Sequence, residues 1–183
     1  MTTIRTVGHG TADADELGEL LRGAGVTELV DVRRFPGSRR HPQFSAEAMA
    51  AWLPGHGIGY RHLESLGGRR KASPDSPNFG VRNDQLRGYA DHMASDEFAA
   101  GVEDLLRDAG EESVVVMCSE SVWWRCHRRF LADHLILVRD VVVEHLFHDG
   151  RLARHEPTPE ARRSGDHVVY DVGVAPPLFD PDG

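Results

Sequence analysis

The sequence predicts an α/β fold: a three-layer sandwich with a mainly parallel central sheet of about five strands and a short C-terminal extension. Three observations carry this prediction. Short apolar runs alternate with segments of helical periodicity, the pattern of right-handed strand–helix–strand crossovers. The run Val114–Cys118 is apolar without polar alternation, as in a strand buried on both faces. The 183 residues, 40% hydrophobic and 27% charged, suit one soluble domain with a modest tail. That domain is expected over residues 1–150, with 151–183 as an extension that ends in a loose tail.

Each element has its own signal. Ile4–Gly8 reads as a first strand. Thr11 or Asp13 then caps a helix that presents Leu17, Leu20, Leu21 and Ala24, closed by Gly25. Glu28–Arg33 is the second strand, followed by a polar loop over Arg33–Phe44 broken by Pro36, Gly37 and Pro42. Ser45 caps a helix carrying Met49, Trp52 and Leu53, and Tyr60–Leu63 is a third strand. The Gly-, Pro- and Ser-rich stretch Glu64–Asp84 is expected as a long loop, a length that favours a lid or binding loop. Ser95 opens a helix with Phe98, Val102, Leu105 and Leu106 on one face, stopped by Gly110. Ser113–Cys118 is a strand, Arg125–Val138 a helix and Asp140–Phe147 the last core strand. Beyond it the chain is polar; Val168–Val172 is a candidate for local pairing and Ala175–Gly183 reads as the tail.

Composition excludes several classes. No apolar run approaches the ~18 residues of a membrane helix, and Met-Thr-Thr-Ile-Arg lacks the apolar core of a secretory signal. Two cysteines make no disulfide framework, so the expected compartment is the cytoplasm. The net charge of −8 argues at first against nucleic acid. Its distribution does not: segments 33–40, 60–71 and 125–129 hold 11 of the 21 basic residues against one acid, Glu64. Their net +10 leaves −18 on the rest of the chain. If the three segments meet, they focus an anionic ligand; otherwise they are solvated loops.

The carboxyl ends of parallel strands share one edge, and ligands bind in the crevice beside it. The residues expected there are His9, Asp31 and Arg33, His62 and Glu64, Cys118 and Glu120, and His148, an ionisable set at five successive strand ends. A thiol at Cys118 facing a helix start and arginines is favoured as thiolate. It is equally readable as a small buried hydrophobe. Six residues separate Cys118 from Arg125, one more than in the cysteine phosphatase loop, so that chemistry is not assigned. Cys126 and His127, as adjacent helical residues about 100° apart, would struggle to serve one metal ion, and no metal site is assigned. Helix-start positions instead give His127 and Arg128 a ligand-facing role.

Asp31 and Arg33 lie on one strand face, either as an ion pair orienting an anion-binding guanidinium or with Asp31 as general base. Glu120 is the other acid/base candidate. His9, between Gly8 and Gly10, sits where the backbone can approach a ligand closely. Gly67-Gly68-Arg69-Arg70-Lys71 reads as a flexible basic flap. Tyr89, Trp123 and Trp124 are stacking candidates or, more simply, core residues.

Seven motifs then appear in order: Val7-Gly8-His9-Gly10-Thr11, Leu29-Val30-Asp31-Val32-Arg33, Pro42-Gln43-Phe44, Leu66-Gly67-Gly68-Arg69, Arg87-Gly88-Tyr89-Ala90, Met117-Cys118-Ser119-Glu120 and Cys126-His127-Arg128. Over residues 4–147 the chain resembles the bacterial family catalogued as domain of unknown function 488. The run from His155 through Tyr170 is similar to an extension on its longer members. The resemblance implies an intracellular α/β domain with His9, Asp31, Arg33, Arg69, Cys118, Glu120, Cys126, His127 and Arg128 among its signature residues. It implies no reaction. Trp123-Trp124 departs from the more polar loop that the resemblance leads one to expect.

The functional expectation is an enzyme acting on a phosphate-bearing substrate, a nucleotide or nucleic-acid component. In that reading Arg33, Arg69, Cys126, His127 and Arg128 bind the anion, Asp31 or Glu120 handles protons, and His9 and Cys118 complete the catalytic set. No cofactor is required by the sequence. The alternatives are a non-catalytic nucleic-acid or anion-binding module, and a cysteine-based redox or metal protein that needs Cys118 close to Cys126.

Overall fold

The computed structural model describes residues 2–37 and 39–175. A six-stranded sheet runs in the order β3-β2-β4-β1-β5-β6. Five strands are parallel: β1 (Thr3–Gly8), β2 (Glu28–Asp31), β3 (Gly59–His62), β4 (Val114–Cys118) and β5 (Val142–Leu146). The sixth, β6 (Leu152–Arg154), is antiparallel to β5 across a turn at Asp149-Gly150. Gly8 lies opposite Cys118, and Asp31 opposite both His62 and Met117, so the carboxyl ends of the four strands from β3 to β1 are level.

Strand alternation splits the core in two. On one face Ile4, Val30, Val114, Val116 and Val143 meet α3 (Asp84–His92), α4 (Asp96–Asp108) and α5 (Arg128–Leu137). On the other face Val7, Leu29, Val115 and Met117 meet α1 (Ala14–Gly23) and α2 (Ala46–Trp52). All five residues of β4 are buried, as its unbroken apolar run predicts. Helix starts follow ordinary capping: Ser45 accepts from Ala48 N–H at 3.2 Å and Ser95 from Phe98 N–H at 3.2 Å.

The α/β architecture is as expected, and the details differ in four places. The sheet has a sixth strand, because the three-residue segment Leu152–Arg154 turns back and pairs on β5. The loop expected over residues 64–84 is present apart from a 3-10 turn at Glu64–Leu66, but a helix that the sequence did not signal, α3, follows it before Ser95, capped by Asn83. Helix α5 starts at Arg128 rather than Arg125; a 3-10 turn at Trp123–Arg125 precedes it, and Cys126 between them is extended (φ −134°, ψ 164°). The 100° separation expected of Cys126 and His127 therefore does not apply. Finally, Ala161–Ser164 (β7) and His167–Tyr170 (β8) form a hairpin whose Tyr170 is buried against Phe130 of α5. The tail expected at Ala175–Gly183 lies, beyond Ala175 itself, outside the described residues. Among the described residues no helix is long and apolar enough to cross a membrane.

Candidate functional site

The chain leaves β1 towards α1 on one face of the sheet and leaves β4 towards α5 on the other. Because β1 and β4 are neighbours, their ends part and open a crevice, the position where doubly wound sheets bind ligands. The crevice is a pocket of about 730 Å³. His9 follows β1 at its floor, with Cys118 and Ser119 beside it; His9 N–H donates to the Cys118 carbonyl at 3.0 Å. The glycine before His9 serves this junction. A Cβ at Gly8 would overlap the Glu120 carbonyl, so the close approach is to the neighbouring loop.

His9 is 2% exposed and stacks on Phe44 at 4.3 Å. Its Nδ1–H donates to the Gly10 carbonyl at 2.9 Å, leaving Nε2 as an acceptor 3.4 Å from Arg33 Nη1. Burial, assisted by the nearby Arg33 charge, lowers its pKa to about 4, so it is neutral at pH 7.

Asp31 is completely buried beneath the pocket and does not line it. Its Oδ1 accepts from Arg33 N (3.0 Å) and Nε (2.9 Å), and Oδ2 accepts from Arg33 Nη2 (2.6 Å) and the Tyr60 hydroxyl (2.9 Å). With four donors occupying it, Asp31 orients Arg33, and the geometry suits that role better than general-base work. Nη2 also reaches the Phe44 carbonyl at 2.6 Å. Nη1, beside His9, is the corner of the guanidinium left towards the cavity.

The pocket lining carries five arginines, Arg33, Arg34, Arg40, Arg69 and Arg125, against one acid, Glu120. The basic segments thus converge in part. Arg33, Arg34, Phe35, Gly37 and Arg40 line the pocket, as do Arg125, Cys126 and His127, but among the described residues of 60–71 only Gly68 and Arg69 do; Arg61 pairs with Glu28 and Arg70 with Glu97. Arg69 is exposed and takes a left-handed backbone (φ 58°), an uncommon state for a residue with a Cβ. His127 donates from Nε2 to the Val32 carbonyl at 3.0 Å, with its ring 5.1 Å from that of Tyr89. Glu120 is exposed and lines the pocket, while its carbonyl is held by Arg128.

Arg128 does not face the pocket as its helix-start position suggested. It is 1% exposed and turned inward to the carbonyls of Glu120 and Ser121, the Thr6 hydroxyl and the Cys126 sulfur. Cys118 and Cys126 both line the pocket wall as free thiols, with their sulfurs 2.9 Å apart. The other strand-end histidines are engaged elsewhere: His62 Nε2 bonds the Arg33 carbonyl at 2.7 Å and His148 Nε2 the Gly8 carbonyl at 2.6 Å. Among the described residues no group of three or more His, Cys, Asp and Glu side chains is placed to hold a metal ion.

Sequence reasoning did not single out Phe35 or His41, nor Asn83 and Gln85 at the start of α3, and it reached Arg34, Arg40 and Arg125 through the basic segments and the Cys118–Arg125 spacing rather than as named ligand-binding residues. Phe35 is 60% exposed at the pocket rim, with the Arg34 guanidinium 5.4 Å from its ring. A lone aromatic between arginines and Pro36 was its signal. Tyr89 lines the pocket but is a core residue, fully buried and bonded to the Leu66 carbonyl at 3.0 Å. Trp123 stacks on His145 at 4.1 Å, and neither tryptophan lines the pocket.

No curated protein and no solved structure matches this chain. A family model does, over residues 13–135, which takes in the crevice from α1 to α5 and leaves out His9 and the C-terminal hairpin. On that match the chain belongs to the family described as domain of unknown function DUF488.

Proposed function

We propose that this protein is an enzyme acting on a mononucleotide or nucleic-acid component bound by its phosphate in the crevice between β1 and β4. One observation carries the reading: five arginines against a single acid line a pocket of about 730 Å³ at the switch point of a parallel sheet. Exposed Arg69 and Arg125, without hydrogen-bond or ion-pair partners among the described side chains, are free to clamp phosphate oxygens, and Arg33 Nη1 meets the anion at the floor. Phe35 offers an aromatic face to a base, which favours a nucleotide over inorganic phosphate. Glu120 is the proton-handling group, since Asp31 is enclosed by donors and His9 is held neutral with both nitrogens engaged.

Melting shifts against inorganic phosphate, mononucleotides, sugar phosphates and short oligonucleotides test this directly. A ligand at a hundred times its dissociation constant adds about 2.7 kcal/mol of stability. A mononucleotide is expected to raise the melting temperature. Arg69→Ala and Arg125→Ala should each weaken it about tenfold, the loss of one charge-assisted hydrogen bond. Phe35→Ala should weaken nucleotide and leave phosphate unchanged. Glu120→Gln should bind the same nucleotide and form no product on chromatography. No shift with any anion would overturn the reading, and a shift with oligonucleotides alone would replace it with a binding module.

A further inference from the structure

The two cysteines are eight positions apart in sequence and meet in the pocket wall. Cys118 ends β4; Cys126 lies in the extended residue just ahead of α5. The Cys126 sulfur receives the Arg128 backbone N–H at 3.3 Å and the Arg128 Nε–H at 3.4 Å, with the Cys118 sulfur at 2.9 Å. The alternative acceptor for the Cys118 proton, the Glu120 carbonyl, is 3.7 Å away. Three donors therefore converge on one sulfur.

Arg128 supplies an independent observation. Its guanidinium is buried, and among the described residues it has no carboxylate partner; its other contacts are neutral oxygens of Glu120, Ser121 and Thr6. A buried cation needs a counter-charge close by. The group placed to carry it is the Cys126 sulfur, as a thiolate at the N-terminus of α5. The electrostatics agree: burial opposes ionisation of Cys126, but the Cys118 thiol, His127 and Arg128 together hold it well below the usual thiol range. Burial and the neighbouring Cys126 push Cys118 well above that range.

We propose that Cys126 and Cys118 form a hydroperoxide-reducing dithiol, with Cys126 as the attacking thiolate and Cys118 as the resolving thiol. The Cys126 sulfur attacks the terminal oxygen of ROOH; an S–O bond forms, the O–O bond breaks, and the departing RO⁻ takes a proton from water to give ROH. Cys126 is then a sulfenic acid. The Cys118 sulfur attacks Cys126 Sγ, an S–S bond forms, the S–O bond breaks, and hydroxide leaves with the Cys118 proton as water. The hydroperoxide is reduced by two electrons and the dithiol oxidised to a disulfide, which an added dithiol reductant reopens. A small oxidant suits the site, because Cys126 is only 6% and Cys118 2% exposed. The proposal does not depend on a nucleotide occupying the pocket.

The test is to treat the reduced full chain with hydrogen peroxide at pH 7, counting free thiols and mapping the product by peptide mass. Both thiols should be consumed together as a Cys118–Cys126 disulfide that dithiothreitol reverses. The rate should depend less on pH between 6 and 9 than that of free cysteine, which climbs as its thiol ionises. Cys118→Ser should stop at a sulfenic acid on Cys126, trapped by dimedone, and Cys126→Ser should leave Cys118 unreacted. A wild-type rate that climbs with pH as free cysteine's does, thiols that stay free, or dimedone on Cys118 would overturn the proposal. The wild-type reaction decides even if a variant misfolds. Phosphate- or nucleotide-induced melting shifts on the same protein separate the two readings: shifts without peroxide reaction defeat the dithiol alone, and peroxide reaction without shifts defeats the nucleotide reading alone.

Discussion

Beneath the pocket, one carboxylate determines where a guanidinium points. Asp31 offers both oxygens to Arg33, which is itself only 7% exposed. Asn at position 31 would keep the size but remove the charge and turn an NH₂ towards donors. Removing one partner of a buried pair costs about 3–5 kcal/mol, most of it the unmatched charge left behind. Asp31→Asn is accordingly expected to lower the urea midpoint steeply, with nucleotide binding weakened through a mobile Arg33. A loss below about 1 kcal/mol would mean that the pair is solvated and that the orienting role is wrong. This pair was legible in the sequence, because residues two apart in a strand share a face. The inward turn of Arg128 was not. Nothing in Cys126-His127-Arg128 distinguishes a guanidinium aimed at ligand from one aimed at a sulfur, and only the Thr6, Glu120 and Ser121 oxygens packed around it decide.

Helix α3 covers the basic loop, and its sequence hid it. Gly88 stands mid-helix, and Asp84, Gln85, Arg87, Asp91 and His92 leave a short apolar stripe of Leu86, Tyr89, Ala90 and Met93. The glycine has a packing reason: a Cβ there would overlap the backbone of Arg70 and Lys71. On an open helix Gly→Ala would stabilise by about 1 kcal/mol. Here Gly88→Ala is expected to destabilise by about 1–3 kcal/mol through overpacking. It should also weaken nucleotide binding, because the displaced segment carries Arg69. Denaturation and melting-shift titration of this variant give both numbers; a net gain in stability would show that the loop yields freely. The parallel strands were legible because their apolar runs are dictated by burial on both faces. The β7–β8 hairpin was readable only in part, since its first strand, Ala161–Ser164, is polar and partly exposed.

Over the whole molecule, what looked like an extension is tied into the core through buried polar groups. Asp133 of α5, fully buried, accepts from His155 Nε2 (2.9 Å), Thr158 N (2.8 Å), Thr158 Oγ1 (2.7 Å) and the Tyr170 hydroxyl (2.9 Å). His155 Nδ1 in turn meets His145 Nε2 at 2.9 Å, and His145 Nδ1 the Thr6 hydroxyl at 2.7 Å. His145 of this network folds neutral, and so do His9 and His134 outside it. Burial lowers His9 and His134 to about 4 and His145 to about 3, all from an ordinary 6.5. Well above pH 6.5 these three are neutral in both folded and unfolded chains, and they add no pH dependence. As pH falls from 6.5 towards 4 the unfolded chain takes up protons that the folded chain refuses, so stability is lost on acidification. With three such groups the slope reaches about 4 kcal/mol per pH unit before the folded state begins to titrate. Urea midpoints measured from pH 8 to pH 5 should be flat at first and then fall. His134 is the group to remove, since its Nδ1 is buried without a partner among the described residues and its ring stands edge-on to Phe98 at 4.9 Å. His134→Phe should lower the acid slope by roughly a third, about 1.4 kcal/mol per pH unit. An unchanged slope would place the titration elsewhere.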